Sequence, residues 1–176
     1  YVRTSKSRYR YQTGRRAFQR LKNGRPGPVM VEIPADIAES DSSELIHQNY
    51  VPSSTYRSGA DENDVLKAAE LLLSSEFPVI YAGQGVIYGD ACEELAELAE
   101  LTKIAVTTTM AGKGAIDERH ELALGSSSVL MIGAVLNYMQ RSDTLLAMGT
   151  SLTQHGMITT IPEGKKIIHA TNFAED

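Results

Sequence analysis

The hydrophobic positions from about residue 60 onward follow two alternating patterns. Short apolar, β-branched runs predict buried strands at Pro78–Ala82, Ile104–Thr107, Thr144–Met148 and Lys166–Ala170. Before and between these runs, apolar residues recur at helical spacing and predict helices starting at Asp61, over Asp90–Leu101 and over Ser127–Met139. Strands that alternate with helices indicate right-handed crossovers. The pattern predicts an α/β fold, namely a doubly wound, Rossmann-like parallel sheet with helices on both faces.

Two of these predicted helices have a defined apolar face. Asp61 can serve as N-cap of the first, because its carboxylate can accept a free amide of the first turn. The apolar positions are Val65, Leu66, Ala69, Leu72 and Leu73 in the first helix, and Leu95, Ala96, Leu98, Ala99 and Leu101 in the second. We expect both sets to face the sheet.

The N-terminal part of the chain has a different organisation. Tyr11–Leu21 predicts a short amphipathic helix, Arg25–Pro28 a rigid turn, and Val29–Ile33 a short strand that Pro34 ends. With no neighbouring strand predicted, this strand is expected to belong to another sheet or to pair with a second copy. We therefore expect residues 1–36 to be a helix–strand remnant of a preceding domain, 37–60 a polar linker, and 61–176 a domain truncated at its C-terminal end.

Composition narrows the class of protein. The chain has 176 residues, 42% hydrophobic and 22% charged, which is typical of one soluble globular domain. A net charge of -5 disfavours nucleic-acid binding, although nine of the 17 basic residues lie in the first 25 positions; a solvated helix face explains them as well as a nucleic-acid arm does. The single Cys92 excludes an internal disulfide. With no long apolar run and no signal peptide, we expect a cytoplasmic protein without a membrane partner.

The candidate binding residues lie where the predicted strands end. In open parallel sheets, ligands bind beyond the carboxyl ends of the strands. Glycine in these loops lets backbone amides approach a phosphate closely, although glycine can equally serve only the tight strand-to-helix turn. The candidate cofactor-binding residues are Gly83, Gln84, Gly85, Thr108, Thr109, Met110, Gly112, Lys113, Gly114, Gly149 and Thr150. Lys113 could add a point charge to such a site, or face solvent.

Other constellations are weaker. Gly83, Gly85 and Gly89 are spaced one residue too widely for a dinucleotide fingerprint, and no acid follows the second strand, which argues against NAD. Asp117, Glu118 and Glu121 resemble a solvated helix start more than an acid pair. The four histidines, His47, His120, His155 and His169, lack metal-ligand spacing, and among them only His155 is placed to touch a ligand. No serine occupies a nucleophile elbow.

One family is recognisable from longer runs. Residues Asn23–Ile37 closely resemble the end of the pyrimidine-binding domain of thiamine-diphosphate enzymes, the group that includes acetolactate synthase, glyoxylate carboligase and oxalyl-CoA decarboxylase. Residues Pro78–Gly85 and Thr107–Ile116 are similar to the central domain of the same family. Ala123–Gly125 and Leu145–Gly149 fall where that family has its next loop and strand. The resemblance covers essentially the whole chain.

The resemblance implies a supporting role. The chain would be the central, structural or nucleotide-cavity domain of a thiamine-diphosphate-dependent 2-oxo-acid decarboxylase or carboligase, a lyase or transferase. In that family the activating glutamate and the magnesium-binding motif lie in other domains, so this chain would hold neither thiamine diphosphate nor magnesium and would be inactive alone, with no catalytic residue or metal ligand. The parent would act on a small 2-oxo acid or acyl-CoA as a homo-oligomer. A free-standing nucleotide-binding module and a structural interaction domain remain alternatives.

Family members use the central cavity differently: some hold FAD, some ADP, and others nothing. The chain is similar to FAD-binding members at Gly83–Gly85, Thr108–Met110 and Leu124–Gly125. Those members have an arginine and acids where this chain has residues 150–154, and aspartates where it has Ala170–Asn172. The resemblance therefore favours ADP over FAD and leaves an empty cavity open.

Overall fold

A computed structural model gives the architecture of the chain. It describes residues 2–3, 10–41, 51–52, 54–127, 133–153, 161–173 and 176. Two compact units are present, Tyr1–Gly59 and Ala60–Asp176. Within the described residues, no helix is both long enough and apolar enough to cross a membrane.

The first unit contains two short strands and two helices. In chain order these are β1 (Val2–Arg3), α1 (Arg10–Lys22), β2 (Val31–Glu32) and α2 (Ala35–Glu39). The predicted helix is confirmed as α1. The predicted strand is shorter than expected and is not alone, because β2 pairs in parallel with β1. Residues 37–39, at the start of the predicted linker, belong to α2.

The second unit is an α/β layer structure around one sheet. Its elements are α3 (Glu62–Leu73), β3 (Pro78–Ala82), α4 (Gln84–Tyr88), α5 (Cys92–Thr102), β4 (Val106–Thr108), β5 (Ala123–Ser126), α6 (Gly133–Arg141), β6 (Thr144–Met148) and β7 (Lys166–Ala170). The five strands are all parallel, in the order β5-β4-β3-β6-β7. This confirms the predicted doubly wound parallel sheet, although β5 and the short helix α4 were not predicted.

Successive residues of β3 supply both layers of the core, because side chains alternate across a strand. Ile80 and Ala82 face a cluster that includes Leu95 and Ala99 of α5. Val79 and Tyr81 face the opposite cluster, with Val135 and Met139 of α6. Helices therefore cover both faces of the sheet, as the apolar runs predicted.

The third predicted helix begins later than expected. Ser127 is not helical: it lies at the end of β5, where its amide donates to Thr108 O at 2.7 Å. Among the described residues, the helix α6 begins at Gly133. Residues 128–132 lie outside the described part of the chain. Ser127 is therefore bonded to β4 and is not helical.

The predicted apolar faces of the helices are only partly buried. Asp61 caps α3 as predicted, accepting from the Asn63 amide at 2.9 Å. On α3, Leu72 is buried, whereas Leu66 and Leu73 are 62% and 77% exposed and Val65 is also exposed. Leu101, at the end of α5, is 81% exposed. Periodicity identified apolar positions correctly, but it does not tell whether a neighbour covers all of them.

Asp143 fixes the starts of the two central strands relative to each other. Its carboxylate accepts from the Glu76 amide at 2.9 Å and from the Phe77 amide at 3.1 Å, immediately before β3. These bonds, led by the one from Glu76, lower the pKa of Asp143, which burial only partly offsets. The ionised carboxylate is therefore the form that stabilises the fold.

We predict that Asp143→Asn lowers the midpoint of thermal unfolding at neutral pH and flattens its acid dependence. A folded-state pKa below that of the unfolded chain, about 3.9, gives stability that is present above this value and lost as pH falls through the folded pKa. Unfolding scans from neutral to acid pH measure both effects. Asp64→Asn is the control, because Asp64 forms an exposed ion pair with Lys67 and should change the midpoint much less. Equal, small losses in both variants would contradict the assignment.

Candidate functional site

The strand order creates a topological switch point between β3 and β6. From β3 the chain proceeds to β4 and β5 on one side, then crosses to β6 on the other side. The ends of the two strands lie side by side, with Ala82 paired to Met148. In such sheets the crevice outside these ends is the usual ligand site. The structure therefore brings the predicted loops, which we term the carboxyl-edge loops (83–85, 108–114 and 149–150), to one edge of the sheet.

Backbone atoms fill the space at this switch point. A Cβ atom on Gly83 would lie 2.3 Å from Gly149 O, and one on Gly85 would lie 2.6 Å from Gly149 Cα. Gly149 itself has φ +60°, and a Cβ there would lie 2.6 Å from Val86 N. We call the mutual contact of Gly83, Gly85 and Gly149 the glycine clasp. Only residues without a side chain allow β3 and β6 to continue into loops this close together.

The amides of the clasp donate within the fold. Gly83 N donates to Met148 O at 2.8 Å, Gly85 N to Gly149 O at 2.8 Å, and Gly149 N to Ala170 O at 2.9 Å. The Gly112 amide likewise donates to Thr109 Oγ1 at 2.9 Å. The expectation that glycine leaves the amides of Gly83, Gly85 and Gly112 uncovered for a phosphate is therefore wrong. Whether these residues contact a cofactor in another way stays a prediction.

Some of the other predicted site residues are exposed, and others already form an ion pair or a hydrogen bond within the fold. Gln84 and Met110 are exposed, and Gly114 has φ +95° with open space around its Cα. Lys113 forms an exposed ion pair with Glu118, so its charge is already partnered. The Thr108 hydroxyl pairs with Ser126 Oγ at 3.0 Å. What this edge offers a ligand is thus mainly side chains and the Gly114 backbone.

The acidic residues after this loop do not form a general acid–base pair. The Arg119 side chain donates to Asp117 at 2.7 and 3.1 Å. Hydrogen bonding from Arg119, through its side chain and then its amide, lowers the pKa of Asp117 to about 2. A carboxyl group so strongly ionised at neutral pH does not act as a proton donor. The solvated interpretation holds, although these residues form a turn and not a helix start.

Tyr81 and Ser127 place two neutral hydroxyls near the end of β4. Burial raises the pKa of Tyr81, and the nearby Ser127 hydroxyl lowers it in part. Ser127 Oγ is itself buried and reaches hydrogen-bond geometry with none of the described residues. A phenol with a raised pKa stays protonated at neutral pH, so this pair supplies no base.

The histidines show where sequence reasoning missed a residue. His47 and His155 lie outside the described part of the chain. His120 is satisfied, with Leu122 N donating to Nδ1 at 3.1 Å and Glu100 3.1 Å from Nε2. His169 instead reaches the carboxyl edge, where its Nε2 lies 2.7 Å from Thr150 O. The only available signal was its place near the end of the last predicted strand.

A cleft of ≈ 330 Å³ lies at the opposite edge of the sheet. Its lining includes Leu73, Phe77, Ile104 and Tyr138, which precede or cover the starts of the strands. Among the described residues, no group of three or more His, Cys, Asp or Glu side chains could hold a metal ion. Neither edge of the sheet thus assembles a set of reacting groups from the described residues.

Comparisons with known proteins agree with this architecture. The family model for the thiamine pyrophosphate enzyme central domain matches residues 65–176. Acetolactate synthase of Mycobacterium bovis and glyoxylate carboligase of Escherichia coli O157:H7 are each 36% identical over 161 residues. These matches cover 88% and 87% of this chain but 25% and 26% of the relatives, so the chain spans about a quarter of their length. The crystal structure of benzoylformate decarboxylase from Polynucleobacter necessarius shares the fold, with TM-score 0.78 at 21% identity, covering 98% of this chain and 33% of that one.

We predict that Gly149→Ala destabilises the second unit severely. An alanine there adopts a left-handed conformation and meets Val86 N and Gly85 Cα, so the expected loss is about 2–5 kcal/mol. Urea unfolding followed by circular dichroism measures it. Gly133→Ala is the matched control, because nothing lies within 4 Å of a Cβ at that helical position. The clasp would be refuted if both variants were as stable as the unmodified chain.

Proposed function

The chain belongs to the thiamine pyrophosphate enzymes and contains their central domain, and from this we propose that it is the supporting domain of a 2-oxo-acid decarboxylase or carboligase. The observation that carries the proposal is the glycine clasp, which fills the switch point with backbone atoms whose amides already donate within the fold. Strand ends whose backbone amides are already hydrogen-bonded within the fold suit a supporting role, because these amides are not free to bind a substrate. Because the chain belongs to this family, neither a free-standing nucleotide-binding module nor a structural interaction domain is needed to explain it.

The domain boundaries are part of the proposal. We assign residues 1–36 to the end of a preceding pyrimidine-binding domain, 37–60 to a linker that includes the end of α2, and 61–176 to the central domain. The separation of two compact units at Gly59 and Ala60 supports this division. The family match beginning at residue 65 supports it as well.

The cofactors and partners that we propose are those of the parent protein. Thiamine diphosphate is the cofactor that the family name implies, and magnesium is proposed with it. The described residues do not fit this pair, since none of their side-chain clusters could hold a metal ion. We therefore assign no catalytic step to this chain. A 2-oxo acid or acyl-CoA substrate, a homo-oligomeric parent and a cytoplasmic location stay predictions.

We predict that the purified chain shows no turnover of pyruvate, glyoxylate or oxalyl-CoA when thiamine diphosphate and magnesium are added. The reason is that the described residues provide neither a proton-transfer pair nor a metal site. Product formation is followed by coupled assay and mass spectrometry, with a full-length acetolactate synthase as the positive control. Turnover above the enzyme-free rate would contradict the supporting role.

A second function is an adenine-nucleotide cavity at the carboxyl edge. The exposed side chains of Gln84 and Met110 and the open backbone at Gly114 favour it. Phosphates would lie near Gly114 and the outer side of the loops, because the clasp amides already donate within the fold. The absence of arginine from residues 149–154 and the Ala170–Asn172 strand end still favour ADP over FAD.

We predict that isothermal titration gives a lower dissociation constant for ADP than for FAD. The edge supplies few partners for the larger flavin cofactor and no free cation at Lys113. Tighter binding of FAD would reverse the ordering. No heat from either ligand would leave the domain with the supporting role alone. Gln84→Ala and Glu93→Ala form the matched pair, because both residues are exposed but only Gln84 lies at the edge.

A further inference from the structure

His169 ties the loop after β6 to the neighbouring strand. We use the name β6 loop for residues 149–153. Because a carbonyl oxygen can only accept, His169 Nε2 carries the hydrogen and donates to Thr150 O at 2.7 Å. His169 is paired with Ala147 in the sheet and therefore lies on the same face. The bond thus joins a residue fixed by the strand ladder to a residue of an irregular loop.

The β6 loop is in a conformation that its sequence does not favour. Leu152 has φ +52°, in the left-handed region that residues with a Cβ rarely adopt. Its side chain still packs against the core cluster of β6 and α6, and its amide donates to Thr150 Oγ1 at 3.3 Å. Such a conformation persists only where the surrounding structure fixes it, and it occurs often at functional sites.

Two neighbouring carbonyls of this loop are held from opposite sides. Gly149 O accepts from Gly85 N at 2.8 Å, which joins the loop to the segment after β3. Thr150 O accepts from His169 on β7. The Gly149 amide adds a third bond, to Ala170 O at 2.9 Å. Among these three bonds, only the one from His169 comes from a side chain and can be removed by substitution.

We propose that His169 is a positioning residue of the carboxyl-edge loops: it keeps the strained β6 loop beside Gly83 and Gly85 and so sets the place of Thr150 beside a bound nucleotide. The ligand part of this inference rests on the adenine-nucleotide cavity proposed above. The structural part does not, since it rests on the bond from His169 and on the left-handed conformation of Leu152. The two parts can therefore be tested separately.

The structural part is tested by backbone order parameters from NMR relaxation. His169→Gln retains a donor near the position of Nε2, whereas His169→Leu removes it. We expect the order parameters of residues 149–152 to be about 0.85 in the unmodified chain and in H169Q. In H169L we expect them to fall below about 0.6. The core residues 80–82 serve as the internal control. A lower melting midpoint in H169L with an unchanged, rigid β6 loop would mean that His169 only adds stability, and would overturn the proposal.

The ligand part is tested by titrating the same proteins with ADP. Loss of one hydrogen bond that positions the loop should raise the dissociation constant about 2- to 12-fold in H169L and leave H169Q close to the unmodified chain. Equal affinities in all three would overturn this part. If the unmodified chain binds no ADP, the cavity proposal fails while the order parameters still decide the role of His169. If H169L does not fold, a slowly exchanging His169 Nε2–H signal in the unmodified chain supports the bond, and its absence overturns it.

Discussion

Direct backbone packing between Gly149 and the pair Gly83 and Gly85 is the constraint on which the second unit depends. Strands β3 and β6 are the two that meet at the switch point, and both must leave the sheet at the same place. A single methyl group at any of the three positions would lie within 2.7 Å of backbone atoms. The start of α4, the end of β6 and, through Ala170, the end of β7 are all positioned by this contact.

The same constraint is consistent with the supporting role that we propose for the domain. Backbone groups that satisfy one another across the switch point are not available to polarise a substrate or hold a phosphate. Among the described residues in and after the 108–114 loop, Lys113 pairs with Glu118, and Asp117 pairs with Arg119. From the family match we propose that a central domain built this way supports the other domains of a thiamine pyrophosphate enzyme.

The sequence predicted the parts of the fold that depend on burial. Strands β3 and β6 are apolar runs because both of their faces are covered, so periodicity detects them. Strand β5 escaped detection because Gly125, with φ +97°, and Ser126 are weak strand formers that pairing with β4 overrides. The glycines of the site were found, but their role was not. Whether a glycine exposes an amide or admits a neighbouring backbone depends on contacts between strands that are far apart in sequence.

Native-state hydrogen exchange measures directly whether the clasp amides are bonded within the fold. If they are, the amides of Gly85 and Gly149 exchange as slowly as that of Val106, which bonds to Leu122 O within the core. The exposed amide of Gly114 is the internal reference for an unprotected loop. Exchange of Gly85 and Gly149 at the rate of Gly114 would show that these amides are open, and would contradict the clasp.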